Sequence, residues 1–324
     1  WAELEVADLS ALLDDSIRPA LGPSAPGLEG LGAGGAVAAR VEGSLGGERR
    51  TANGWLTMTD VSLDAAGFQV RGVDLSLPLD VTWSRPPGGG ALEVGGTPRQ
   101  GSLRFAGAAA RGLVLKPAEV PLAVEGDRLT LSEPLTLPLL GGDLVLADVA
   151  LVDLLRPTRH LASSVELRGL SLAELSRLFA LPPLEGELGG AFPTVRLTPT
   201  TLRVDGAGLL TLFGGTVSVS NISGREVLGR YPRLLFDARI AEIDLGQLTR
   251  AFDFGEMTGV LEGEVTGCEL FRGVPLRLVG FLRTVPRPGV DQRISLKAVN
   301  NIAIVGTGSG LGLLDRGLRR LISS

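Results

Sequence analysis

Between residues 73 and 83 the sequence alternates without a fault. Val73, Leu75, Leu77, Leu79, Val81 and Trp83 are apolar, and Asp74, Ser76, Pro78, Asp80 and Thr82 stand between them. A side-chain period of two belongs to a β-strand, whose successive residues point to opposite faces of a sheet. One face of this strand is made for water, and the other must meet something apolar. Pro78 brings no backbone donor, so the spacing predicts an edge strand or a bulge there.

The same alternation returns along most of the chain, at Leu129/Leu131, Leu135/Leu137/Leu139, Val195/Leu197, Val217/Val219, Leu234/Phe236/Ala238/Ile240, Leu276/Leu278 and Ile294/Leu296. Turn signals such as Pro86-Pro87-Gly88, Gly141-Gly142 and Gly214-Gly215 separate the runs. Composition agrees: apolar residues make up 44% but aromatics only 4%, with 46 glycines and 20 prolines, as many short strands and turns require. The uncharged run from Gly206 to Gly224 alternates and is rich in Gly, Ser and Thr, so it reads as strand and not as a membrane-spanning helix. The expected fold is mainly β: a long, curved antiparallel sheet forming a groove, with a few short helices.

Three helix starts share one form. Ser171-Leu-Ala-Glu174 and Asp244-Leu-Gly-Gln247 are capping boxes, and Asp8-Leu-Ser-Ala is a weaker third. Each is followed by a glycine-flanked Leu-Glu-Gly, within "GLEGLGAGG" (27–35), "PLEGELGG" (183–190) and "GVLEGEVTG" (259–267). The chain is therefore expected to be one elongated fragment, 1–324, with repeat-like units beginning near 8, 171 and 244.

Composition and motifs argue against most chemistry. A net charge of −5 disfavours nucleic acid, and one cysteine, Cys268, permits neither an intrachain disulfide nor a cysteine metal cluster. The opening Trp1-Ala2-Glu3-Leu4-Glu5 reads as strand and not as a signal peptide. "NIAIVGTGSGLG", residues 301–312, imitates a nucleotide-binding turn. Its glycines miss the G-x-G-x-x-G spacing, no Lys-Ser/Thr follows, and a glycine-rich linker into a terminal helix is the better reading. His160, the lone histidine, is expected in a polar loop, and Cys268 within a strand as a small buried residue. Pairs such as Asp14-Asp15 and Glu262/Glu264 read as solvated surface. No catalytic residue, metal site or cofactor is expected. Leu311, Leu314, Leu318 and Leu321 form an apolar stripe beside Arg316, Arg319 and Arg320, a helix that would cap the sheet or lie on an anionic membrane.

Three stretches carry a family resemblance: "DLGQLTRAFDFGEMTGVLEGEVTG" (244–267), "LFGGTVSVSNIS" (212–223) and the closing "LKAVNNIAIVGTGSGLGLLDRGLRRLIS" (296–323). Together they resemble the AsmA-like superfamily, which includes the TamB and YdbH groups of Gram-negative envelope proteins. The likeness is fullest over residues 165–324. It implies phospholipid transport between inner and outer membranes along a β-groove, in the periplasm, with the full-length protein anchored to the inner membrane. Phospholipid acyl chains are then the expected partner, guided without catalysis. Val73, Leu75, Leu77, Leu79, Val81, Trp83, Leu276 and Leu278 are the candidate lining; the alternative for each is packing on a helix or second sheet. The competing readings are a structural envelope protein with a closed core, and an enzyme with a dispersed carboxylate site.

Overall fold

The computed structural model describes residues 2–6, 8–17, 31–44, 49–65, 68–84, 93–110, 113–178, 182–227, 231–272 and 274–299. The glycine run 301–312 and the C-terminal stripe therefore lie outside the described residues. The chain divides into two compact units, Trp1–Leu137 with Leu146–Ala162, and Pro138–Val145 with Ser163–Ser324.

Both are built from antiparallel strands with few helices. In chain order these are β1 (Ala2–Val6), α1 (Leu9–Leu12), β2 (Gly32–Ser44), β3 (Arg49–Ala65), β4 (Phe68–Ser84), β5 (Glu93–Gly95), β6 (Arg99–Phe105), β7 (Gly107–Ala110), β8 (Leu113–Leu115), β9 (Ala118–Glu125), β10 (Arg128–Leu131), β11 (Leu135–Leu139), β12 (Gly142–Val152) and β13 (His160–Ser171). There follow α2 (Leu172–Leu178), β14 (Gly186–Leu197), β15 (Thr201–Leu212), β16 (Gly215–Arg225), β17 (Arg233–Asp244), α3 (Leu245–Ala251), β18 (Met257–Thr258), β19 (Val260–Phe271), β20 (Val274–Val285) and β21 (Arg293–Ile294).

In the first unit β1, β2, β3 and β4 meander as successive antiparallel neighbours. The far edge of β4 is shared. β7 takes Phe68–Arg71, β6 takes Asp74–Ser76 and β5 takes Thr82–Ser84. Pro78 falls in the interval between β6 and β5, where its missing donor interrupts no ladder. The strand is central on its β3 side and edge-like at this one place, so the proline's constraint is met without a bulge. β6 continues to β9, β10 and the Leu146–Val152 part of β12. Val61, Val120, Leu122, Val124 and Ala150 make the buried core of this unit, with Leu13 from the turn after α1.

The second unit repeats the plan with β14 through β17, β19 and β20, each antiparallel to the next. Its two helices start as the capping residues require. Ser171 Oγ accepts from Glu174 N at 3.4 Å, and Asp244 Oδ1 from Gln247 N at 2.9 Å. Inside each helix a hydroxyl four residues after the first leucine donates back: Ser176 to Leu172 O and Thr249 to Leu245 O, both at 2.7 Å. All four residues are buried. Gly186 and Gly259 stand equally far along the chain from Leu172 and Leu245, with φ of +136° and +135°. The Leu-Glu-Gly triplets do not share this phase: one ends at Gly186, and the other begins after Gly259.

Two bulges in the second unit are tied down by one carboxylate. β16 and β19 each carry an extra residue beside β17, with Asn221 at φ +53° and Gly267 at φ +59°. Asp237, on β17 between them, accepts from Gly267 N at 2.7 Å and from Asn221 Nδ2 at 2.6 Å. These bonds, the Gly267 amide first, hold its carboxyl below the usual aspartate range. A depressed carboxyl stabilises the fold above its unfolded pKa and loses that contribution as the pH falls through the folded value. Asp237→Asn is expected to lower the urea midpoint by a constant amount above about pH 5. The gap should close as both proteins are acidified toward pH ~3; a gap independent of pH would show that the carboxylate charge plays no part.

Candidate functional site

Residues directly opposite one another in an antiparallel pair share a face, so register converts the alternation of one strand into a surface. On β4, Val73 faces Val61, Leu75 faces Met58, Leu77 faces Leu56, Leu79 faces Gly54, Val81 faces Ala52 and Trp83 faces Arg50. β2 carries the rows onward, with Val37 beside Met58, Ala39 beside Leu56 and Val41 beside Gly54. On the other side Leu75 meets Leu103, Leu103 meets Val120, and Leu122 and Val124 meet Leu131 and Leu129. The first unit thus has one apolar face running across successive strands. The six residues predicted on β4 lie in its middle, all half-buried.

The second unit has the same construction. Leu188, Leu210, Val217, Ile240, Gly263 and Leu282 form one row; Gly190, Gly208, Val219, Ala238, Val265 and Gly280 form the next. A Cβ on Gly190 would meet the Phe192 ring at 3.1 Å, and one on Gly208 would meet it at 3.5 Å. The buried ring therefore lies over this glycine pair. Leu278 shares the face of Gly280 and Leu282, whereas Leu276 sits at the irregularity between the Glu269–Arg277 and Leu270–Pro275 pairs. They are 54% and 60% exposed, on a strand exposed along most of its length.

The reverse side of β4 is polar and ordered by charge. Asp74 accepts from Asp60 N at 2.9 Å and from Arg104 Nη2 at 2.8 Å, and the Asp60 amide, then Arg104, hold its carboxyl low. Asp60 is itself a bulge residue, at φ +49°. Asp80 accepts from Thr97, which with Arg99 depresses its carboxyl as well. A concavity of about 510 Å³ opens beside the Asp60 bulge, lined by Asp74, Arg104 and Glu119 among others.

The lone histidine and the lone cysteine both belong to strands. His160 begins β13, with Nδ1 at 3.0 Å from Thr158 O. Cys268 faces Phe236 on the apolar side and is buried, which pushes its thiol up. Among the described residues no three His, Cys, Asp or Glu side chains are grouped to hold a metal.

A family model, YdbH-like: Intermembrane phospholipid transport protein YdbH, matches residues 4–238, well over half of the chain. The chain belongs to the YdbH-like family. The match takes in the first unit and reaches β17 of the second, so kinship extends through the half where the resemblance was slighter. No curated protein and no solved structure matches the chain. YdbH-like membership makes intermembrane phospholipid transport its general role. Among the described residues, no helix of this YdbH-like chain is long and apolar enough to cross a membrane.

Sequence reasoning found the face on β4 and missed its neighbours on β3, β6 and β9. Val61 was hidden because the Asp60 bulge shifts the alternation after Met58. Leu122, 2% exposed, and Leu276, 60% exposed, give a direct contrast. Leu122→Ala should cost about 2–5 kcal/mol in chemical denaturation, and Leu276→Ala less than about 0.5 kcal/mol.

Proposed function

We propose that the apolar sheet face of each unit carries the acyl chains of phospholipids, while headgroups stay in water. The observation behind this reading is the continuity of the apolar rows across strands, with β4 residues only half-buried at their centre. Each methylene taken from water onto such a face is worth about 0.8 kcal/mol, so a chain of ordinary length is held without a single hydrogen bond. The lining residues are Val73, Leu75, Leu77, Leu79, Val81 and Trp83 in the first unit, with Leu278 and, at its irregular position, Leu276 in the second. Guidance is passive: the side chains do no bond chemistry, and direction comes from the membranes or proteins at either end. The working location is the periplasm, with the full-length protein held at the inner membrane.

The test is native mass spectrometry with lipid extraction on the purified chain, together with Leu77→Asp and Ser76→Asp. These put the same charge on opposite faces of β4. Phospholipid is expected with the wild type and with Ser76→Asp, and lost in Leu77→Asp while circular dichroism is retained. A monodisperse wild type without lipid would favour a closed structural protein, and equal retention by both variants would remove β4 from the path.

A further inference from the structure

The polar side of the second unit has an unusual end. At the tips of the hairpins, β14 to β20 place Arg196 opposite Arg203, then Ser223, Leu235, Glu269 and Arg277 in one row. The neighbouring row is Thr201, Arg225, Arg233, Phe271 and Val274. Two pairs of arginines, Arg196–Arg203 and Arg225–Arg233, thus stand directly across from each other on adjacent strands, all exposed. Like charges in that position destabilise a sheet.

The local acids balance them only in part, and Arg196 has an interaction of its own. Glu269 is bonded to Arg233 at 2.9 Å, while Glu226 and Asp205 are exposed nearby in sequence. Among the described residues no carboxylate lies within ion-pair range of Arg203 or Arg225. Arg272, also exposed, adds charge at the β19–β20 turn. The chain as a whole carries −5, so this cationic patch is a segregation of charge and not a reflection of the average.

An aromatic pair marks the same rim. Tyr231, 54% exposed, stacks on Phe271 with centroids 6.4 Å apart, and the Arg233 guanidinium lies 5.4 Å from the Phe271 centroid. An exposed tyrosine, with its apolar ring and polar hydroxyl, flanked by arginines, is the side-chain chemistry of a bilayer's headgroup layer. Arginine matches phosphate through its planar fork of donors.

We propose that this hairpin-tip rim of the second unit docks on anionic phospholipid headgroups at a bilayer surface. The contact is separate from the apolar face: it uses the opposite side of the sheet and would bring the second unit to a leaflet whether or not lipid occupies that face. Its attraction is electrostatic and falls with salt.

Sedimentation with phosphatidylcholine vesicles, with and without phosphatidylglycerol, tests it. The wild type should bind only the vesicles containing phosphatidylglycerol and should be released by high salt. Arg203→Gln/Arg225→Gln relieves both opposed pairs, so its thermal stability should equal or exceed that of the wild type. Its vesicle affinity should nevertheless fall at least about tenfold. Arg49→Gln/Arg128→Gln removes the same charge from the first unit and should bind as the wild type does. Absence of wild-type binding, equal binding to neutral vesicles, or equal loss in both double variants would overturn the proposal. Lipid extraction, measured on the same proteins, should be unchanged by Arg203→Gln/Arg225→Gln, which keeps this result apart from that of the apolar face.

Discussion

An antiparallel sheet keeps one face apolar only while each strand stays in phase with its neighbours. A single extra residue sends every later side chain to the other side. The second unit takes in such residues on β14, β15, β16 and β19 and still keeps its rows, with β17 running straight from Leu234 to Ile240 among them. Asp237 gives the arrangement its anchor, holding the Gly267 amide and the Asn221 side chain from one carboxylate. In the first unit Asp74 serves the Asp60 amide in the same way. The carboxylates stand on the polar side and govern what the apolar side looks like.

That dependence decides how much could be read from the sequence. β4 has no bulge between Val73 and Trp83, so its bare letters displayed the face completely. β3 could not be read so directly, since Asp60 adopts a left-handed conformation and moves the apolar position from 60 to 61. Helix starts were legible because capping is local: a side-chain oxygen and an amide three residues on suffice. The partners of each row were not legible, because register between distant strands is a tertiary property. Neither were the opposed arginines, which are seven and eight residues apart in the chain and become neighbours only through the pairing.

Glycine has two separate duties in this sheet. At Gly267 it supplies a left-handed backbone that lets β19 absorb its extra residue. At Gly190 and Gly208 it supplies absence: the two missing side chains leave the space into which Phe192 lays its ring. With so few aromatics, this chain fills gaps by lowering the floor under one ring and not by adding rings. The family match, ending at residue 238, includes this arrangement and the first unit from residue 4 onward.

The apolar face of the first unit is nearly uniform in chemistry, with Val, Leu, Ala and Met repeating from strand to strand and no buried polar group among them. Specific sites hold a ligand by giving it one position better than all others. A surface of repeated aliphatic side chains gives a hydrocarbon tail the same dispersion energy wherever it lies, with strands recurring every ~4.8 Å. On the proposed reading, movement along such a surface meets only shallow barriers, and friction, more than affinity, is the property on which the sequence of the face would act.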